Sequence, residues 1–292
     1  MRRGSVLLGA GLATAGALFG IWLFAGPDVQ ERALSDLEGD VERGAYVARL
    51  AGCIPCHTDP ESGRGVLAGG PALETEFGTF YGPNITPHET DGVGAWSVED
   101  FARALTSGES PNGAHYYPAF PYAFYRRLSN QDVVDLWAAV NSVPAVAGAA
   151  PAHELSFPFD QRWTLGAWKR LALPSGGEAA AQSLDRGAYL AEAAAHCGAC
   201  HTPRDALGRR DRARRYEGAQ AAGGGEVPAI TPAALTEAGW TKDDLIYALQ
   251  SGITPDGDVF GGAMADVVNG GTQFWRREDL SALADYLLTD DN

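Results

Sequence analysis

Positive charge, methionine and cysteine outside two short motifs are all scarce in this 292-residue chain, and each shortage excludes something. Lys and Arg number 22 against 37 Asp and Glu, a formal net charge of −15. That balance argues against a nucleic-acid partner and suits an acidic, soluble surface. After Met1 the only methionine is Met264, so a thioether sulfur from methionine is available at one internal place. The four cysteines all fall in two pairs, Cys53/Cys56 and Cys197/Cys200, which leaves none for a ligand or bridge elsewhere. No stretch alternates as a half-buried strand would, and the chain reads as all-α.

The chemistry is concentrated in Cys53-Ile54-Pro55-Cys56-His57 and Cys197-Gly198-Ala199-Cys200-His201. Two Cys at i and i+3 lie on one side of a helical turn, so both sulfurs reach the vinyl groups of one porphyrin. The His that follows then lies under the iron. A thioredoxin-type dithiol occurs once and needs no His, and a zinc ribbon sets its pairs roughly 15–20 residues apart. Here the pairs are 144 residues apart and each is followed by His. The pattern predicts two covalently bound haem c groups, attached through Cys53, Cys56, Cys197 and Cys200, with His57 and His201 as proximal ligands.

Arg2 and Arg3 precede an uncharged apolar run from Ser5 to Ala25. Its length is enough to cross a bilayer as a helix, and the arginines favour a cytoplasmic N-terminus. A cleaved signal peptide is the rival, but its apolar stretch is usually about 7–15 residues and Leu23-Phe24-Ala25-Gly26 is a poor cleavage site. The expectation is an N-terminal transmembrane anchor at 1–26, in a single-pass protein of the inner (cytoplasmic) membrane whose soluble part faces the periplasm. Export also fits the cysteines, since thioether bonds would spare the dithiols from becoming disulfides.

The rest of the chain repeats itself. Arg43-Gly44-Ala45-Tyr46 and Arg186-Gly187-Ala188-Tyr189 lead into the two motifs; Ile85-Thr86-Pro87 and Ile230-Thr231-Pro232 follow, and then Trp96 and Trp240. Duplication of one cytochrome-sized unit accounts for this. Ser97 with Asp100 and Thr241 with Asp244 read as capping boxes of helices that Gly108 and Gly252 end. A further helix from about Ser129 stops before Pro144, and another runs through Leu280, Leu283 and Leu287. The expected fold is two tandem class I cytochrome c-like domains, 39–146 and 183–292. A linker at 27–38 precedes them and a connector at 147–182 joins them.

Haem iron in electron carriers usually takes Met or His as its second axial ligand. Met264, in a loop 63 residues beyond His201, is the candidate for the second iron. Its counterpart 144 residues earlier is Phe120, which cannot bind iron. His115, five residues upstream, is the candidate for the first; an open or water-bound iron, His88, and Tyr116 or Tyr117 are the alternatives. Arg204, Arg209, Arg210, Arg212, Arg214 and Arg215 form a local basic segment, read as a solvated loop, a docking patch for an acidic partner or a cover over the haem propionates.

At these residues the chain resembles the membrane-anchored multihaem cytochrome c subunits of periplasmic dehydrogenases acting on alcohols and sugars. The likeness is carried by Gly44-Ala45-Tyr46, the two motifs, Asn84-Ile85-Thr86-Pro87, Gly92-Val93-Gly94-Ala95-Trp96, Tyr117-Pro118-Ala119-Phe120-Pro121-Tyr122 and Phe157-Pro158-Phe159 with Arg162 and Trp168. It covers most of residues 40–292. Many members have Met where Phe120 stands, and many have three haem domains. The resemblance implies a non-enzymatic electron carrier between a dehydrogenase catalytic subunit, or another redox protein, and a downstream carrier, oxidase or quinone pool. The alternative is a dihaem enzyme whose open first haem handles peroxide or a small ligand.

Overall fold

The computed structural model describes residues 14–29, 31–173, 184–221 and 224–289. Residues 14–24 are helical (α1). The first repeated unit starts at α2 (Val41–Leu50), which Asp40 caps by accepting from the backbone N–H of Arg43. Gly52, in the left-handed region at φ +66°, turns the chain into α3 (Cys53–His57). Next come α4 (Val98–Ser107), α5 (Tyr122–Tyr125) and α6 (Asn130–Ser142), the last capped by the Ser129 hydroxyl. The connector carries α7 (Leu165–Ala172).

The second unit begins with α8 (Arg186–Tyr189), which runs on through a π turn at Leu190–Ala194. It continues with α9 (Pro232–Glu237), α10 (Lys242–Ser251), α11 (Gly262–Gly270) and α12 (Arg277–Leu288). Both expected capping boxes are formed, Ser97 with Asp100 and Thr241 with Asp244. Both helices end on a left-handed glycine, Gly108 and Gly252, where a side chain would be strained.

Each unit is closed by its first helix crossing its last. A Cβ on Gly44 would lie 1.8 Å from the Asp135 carbonyl oxygen of α6, and one on Gly187 would lie 2.2 Å from that of Ala282 in α12. Only glycine permits backbones so close. Ion pairs brace both crossings: Arg43 to Asp135 at 2.8 Å and Arg186 to Asp279 at 2.6 Å. The units share one buried apolar cluster, in which Leu50, Val133 and Leu136 join Leu190, Leu280 and Leu283.

They also interlock reciprocally. Tyr46 of the first unit donates to Asp279 at 2.6 Å and accepts from the Arg276 N–H at 2.9 Å. Tyr189 of the second donates to Asp132 and accepts from the Ser129 N–H at 3.1 Å. Both tyrosines close an Arg-Gly-Ala-Tyr sequence, and both aspartates are third residues of a unit's final helix. Such a reciprocal exchange between equivalent residues is the pattern of an isologous, two-fold interface, here within one chain.

Two expectations are overturned. The chain is not all-α: β1 (Ala72–Thr75), β2 (Gly78–Tyr81) and β3 (Glu154–Leu155) form an antiparallel sheet in that order, and β4 (Ala219–Gln220) pairs antiparallel with β5 (Glu226–Val227). Strands of two to four residues offer too few positions for an alternating pattern to register. Nor is the transmembrane anchor found: among the described residues no helix is long and apolar enough to cross a membrane.

Residues 1–13, with Arg2, Arg3 and the start of the apolar run, lie outside the described residues. The described part of α1 spans residues 14–24. Its end is engaged by the connector. Phe24 packs against Trp163 with centroids 5.0 Å apart and the rings tilted by 55°, and Arg170 donates to the Trp22 carbonyl at 2.8 Å. The single-pass membrane location inferred from that run is withdrawn with it.

Gly44→Ala is expected to lower the unfolding free energy by about 3 kcal/mol, and Gly187→Ala by a similar amount, because the added methyl must force apart two helix backbones. Urea unfolding of the variants measures this. Acid provides a second test. Burial raises the Asp279 carboxyl, but hydrogen bonds from Arg186 and Tyr46 outweigh it and hold the net value below that of an ordinary aspartate. The resulting stability is present above about pH 4 and is lost as pH falls through the depressed folded value. Asp279→Asn should therefore lose less stability than the parent between pH 7 and pH 3.

Candidate cofactor sites

In α3 a single helical turn carries Cys53, Cys56 and His57; the second motif opens as a 3₁₀ turn over Cys197–Ala199. None of the four cysteines is in a disulfide. Burial pushes Cys53 and Cys197 up to about 12, and also raises Cys56 and Cys200. Reactive dithiols are the opposite case, with lowered values, so the environment argues against a thioredoxin-type role.

The two motif histidines are oriented alike. His57 Nδ1 lies 2.7 Å from the Pro83 carbonyl oxygen, and His201 Nδ1 lies 2.8 Å from that of Pro228. A carbonyl only accepts, so each Nδ1 carries the proton and each Nε2 keeps its lone pair for a metal. Burial lowers the basicity of both rings, which keeps them neutral, as ligation needs. The carbonyls are aimed from loops that are themselves anchored. Buried Asn84 accepts from the Thr86 N–H at 2.9 Å and donates to the Val146 carbonyl at 2.7 Å, while Thr231 caps α9. Pro83 and Pro228 escaped sequence reasoning because a carbonyl has no letter; the available signal was a proline two residues before each Ile-Thr-Pro.

Met264 lies in α11 and not in the expected loop, partly buried against the cluster that also receives Cys197 and Trp240. At the matching place in the first unit Phe120 packs on Tyr116, Tyr125 and Tyr122, with ring centroids 6.0, 5.8 and 6.3 Å apart. The Tyr122 hydroxyl beside it is buried with no hydrogen-bond partner.

His115 is engaged on both ring nitrogens. Nε2 is 3.2 Å from the Ala25 carbonyl oxygen, and Nδ1 is 3.3 Å from Lys169 Nζ, with Glu109 at 3.9 Å. Lys169 is buried and also donates to the carbonyls of Ser107 and Gly108. Of the alternatives, His88 accepts from the Asp91 N–H at 3.2 Å, and the Tyr117 ring lies under Arg162. The basic segment is largely occupied within the protein: Arg209 pairs with Asp205, Arg214 with Glu217 and Arg215 with Glu192, while Arg210 covers the Phe124 ring at 3.8 Å.

Paired thiols on one turn, a neutral imidazole with Nδ1 tied down and Nε2 free, and an orphaned buried hydroxyl make a donor set that fits covalently held haem. No protein-family model matches the chain. A protein named diheme cytochrome c-type from Cereibacter sphaeroides is 42% identical over 297 residues, covering 98% of this chain and 98% of the relative. The chain belongs to the dihaem cytochrome c family.

This dihaem cytochrome c carries two covalently bound haem c groups and is an electron-transfer protein, not a catalytic subunit. It is also 39% identical to the cytochrome c subunit of the quinone alcohol dehydrogenase of Gluconobacter oxydans and 37% identical to the fructose dehydrogenase cytochrome subunit of Gluconobacter japonicus. The matches cover 86% and 85% of this chain but 54% and 52% of those relatives, so the chain spans about half their length.

The purified holoprotein should contain two haems per chain by pyridine haemochrome assay. Cys53→Ser combined with Cys56→Ser should leave one, and so should Cys197→Ser combined with Cys200→Ser.

Proposed function

We propose that this chain passes electrons one at a time from a dehydrogenase catalytic subunit, through its two haems, to a downstream carrier, oxidase or quinone pool. The observation that carries the reading is the matched pair of motif histidines, each with Nδ1 committed to a proline carbonyl and Nε2 left for iron. Residues 39–146 and 183–292 act as the two haem units, joined by 147–182.

In this reading Cys53 and Cys56 hold the first haem and Cys197 and Cys200 the second. His57 and His201 are the proximal ligands, and Met264 is the second ligand of the C-terminal iron. When bound, haem supplies the one-electron chemistry; the protein's part is to orient the ligands, exclude water and tune potential. The Pro83 and Pro228 carbonyls strengthen the donor character of the imidazoles they hold. Methionine ligation raises potential, so a haem held by His201 and Met264 would be the higher of the two, and electrons would enter at the first site and leave from the second.

His115 is the protein ligand proposed for the first iron, and binding would require it to exchange its contact with Ala25 or Lys169 for the metal. Those same contacts favour a second reading, in which His115 stays where it is and the first iron would have no second protein ligand. Low-temperature EPR of the oxidised holoprotein separates the two: two low-spin ferric haems support ligation, whereas one high-spin haem supports an open iron. In a redox titration Met264→His should lower the higher midpoint potential and leave the lower one in place. A parent protein whose N-terminal haem has the higher potential would overturn the proposed direction.

A further inference from the structure

The two motifs meet across the reciprocal interface at a pair of equivalent residues. Gly52 and His196 each stand immediately before the first cysteine of a motif, and both are left-handed, at φ +66° and φ +48°. They face one another: a Cβ on Gly52 would lie 3.5 Å from His196 Cε1. In a two-fold interface only residues on the axis meet their own counterparts. The axis therefore passes between the two haem-attachment motifs. A further contact joins the second unit to the first motif here, since a Cβ on Gly270 would lie 2.7 Å from Pro55, between the cysteines of that motif.

The counterparts are not alike. Glycine adopts the left-handed region freely, but a histidine is strained there. The strained ring is closely placed: Nδ1 lies 3.0 Å from the Ala194 carbonyl oxygen, and the ring packs edge-to-face on Tyr125 and Phe124 with centroids 5.5 and 6.0 Å away. Tyr125 donates to the Ala51 carbonyl beside Gly52, and its ring packs on Phe120 at 5.8 Å. Phe120, Tyr125 and His196 thus form an unbroken run of aromatic contacts. It leads from the position matching Met264 in the first unit to the residue adjoining Cys197 in the second. Burial pushes the His196 ring down to about 4, so it is neutral and adds no charge to the junction.

We propose that His196 is a positioning residue: it fills the space on the axis between the two motifs and holds them at the separation that would set the rate of electron exchange between the haems attached to them. The step is balanced as it stands, because one iron loses the electron that the other gains, with no proton and no third reactant. The proposal rests on the attachment of the haems at these motifs, and the test keeps the two apart.

The holoprotein is compared with His196→Gly, which restores the residue found at the equivalent position, and His196→Asn, which also tolerates the left-handed conformation. Haem content is measured first; fewer than two haems in the parent would count against the attachment assignments and not against this residue. After fast one-electron reduction by pulse radiolysis, the redistribution of the electron between the haems is followed optically. The inter-haem rate is expected to fall by about tenfold or more in both variants, as slight misplacement of reacting groups does elsewhere, with both midpoint potentials unmoved. A parent-like rate in either folded variant overturns the proposal, as does a slowing that shifted potentials account for. Should one variant fail to load haem, the other decides.

Discussion

The crossing of each unit's first and last helices at a glycine is the constraint on which the remaining structure depends. With no side chain at Gly44 or Gly187, α2 reaches the backbone of α6, and α8 that of α12. That contact sets where Tyr46 and Tyr189 emerge, two residues along, and so lets each reach the start of the other unit's final helix. It also sets where the motifs begin, because Gly52 comes two residues after α2 and His196 two residues after the π turn that extends α8. A residue with a Cβ at either glycine would disturb the closure of its own unit and the docking of both.

The repeat was legible because it is local. Arg-Gly-Ala-Tyr, the capping boxes and the motif spacings lie within single turns of chain, where residue type and conformation are tightly coupled. What was illegible depends on contacts distant in sequence. Nothing in the letters says that Pro83 would present its carbonyl to a ring 26 positions earlier, or that Tyr46 would reach residue 279. The hairpins escape sequence reading because strands so short carry no period, and Met264, expected in a loop 63 residues beyond His201, lies in α11. The apolar run is read from its length, the arginines before it and the poor cleavage site after it, without the connector that engages its described end.

Histidine 115 shows how far a repeat can be trusted. The isolated bridge between Glu109 and His115 is matched in the second unit by one between Ile253 and Val259, so the loop fold is common to both. The side chains differ: Val259 is exposed, whereas His115 is drawn into contact with Ala25 and Lys169. Those partners belong to the chain before the first unit and to the connector, neither of which has a described counterpart in the second unit. A repeat therefore predicts where a residue sits, while its chemistry depends on what the unrepeated segments bring to it.

The two units share a scaffold and differ at a few places that matter for electron flow. Phe120 stands where the second unit has Met264, and Gly52 stands where it has His196. A strictly symmetric pair would give the two haems like surroundings and no preferred direction. In the proposed ligation, the absence of methionine from the first unit would separate the environments of the two irons. Placing a single ring on the axis keeps the motifs in contact while breaking their equivalence. Symmetry builds the junction, and its local breaking falls at the positions that carry the proposed second ligand and the proposed positioning residue.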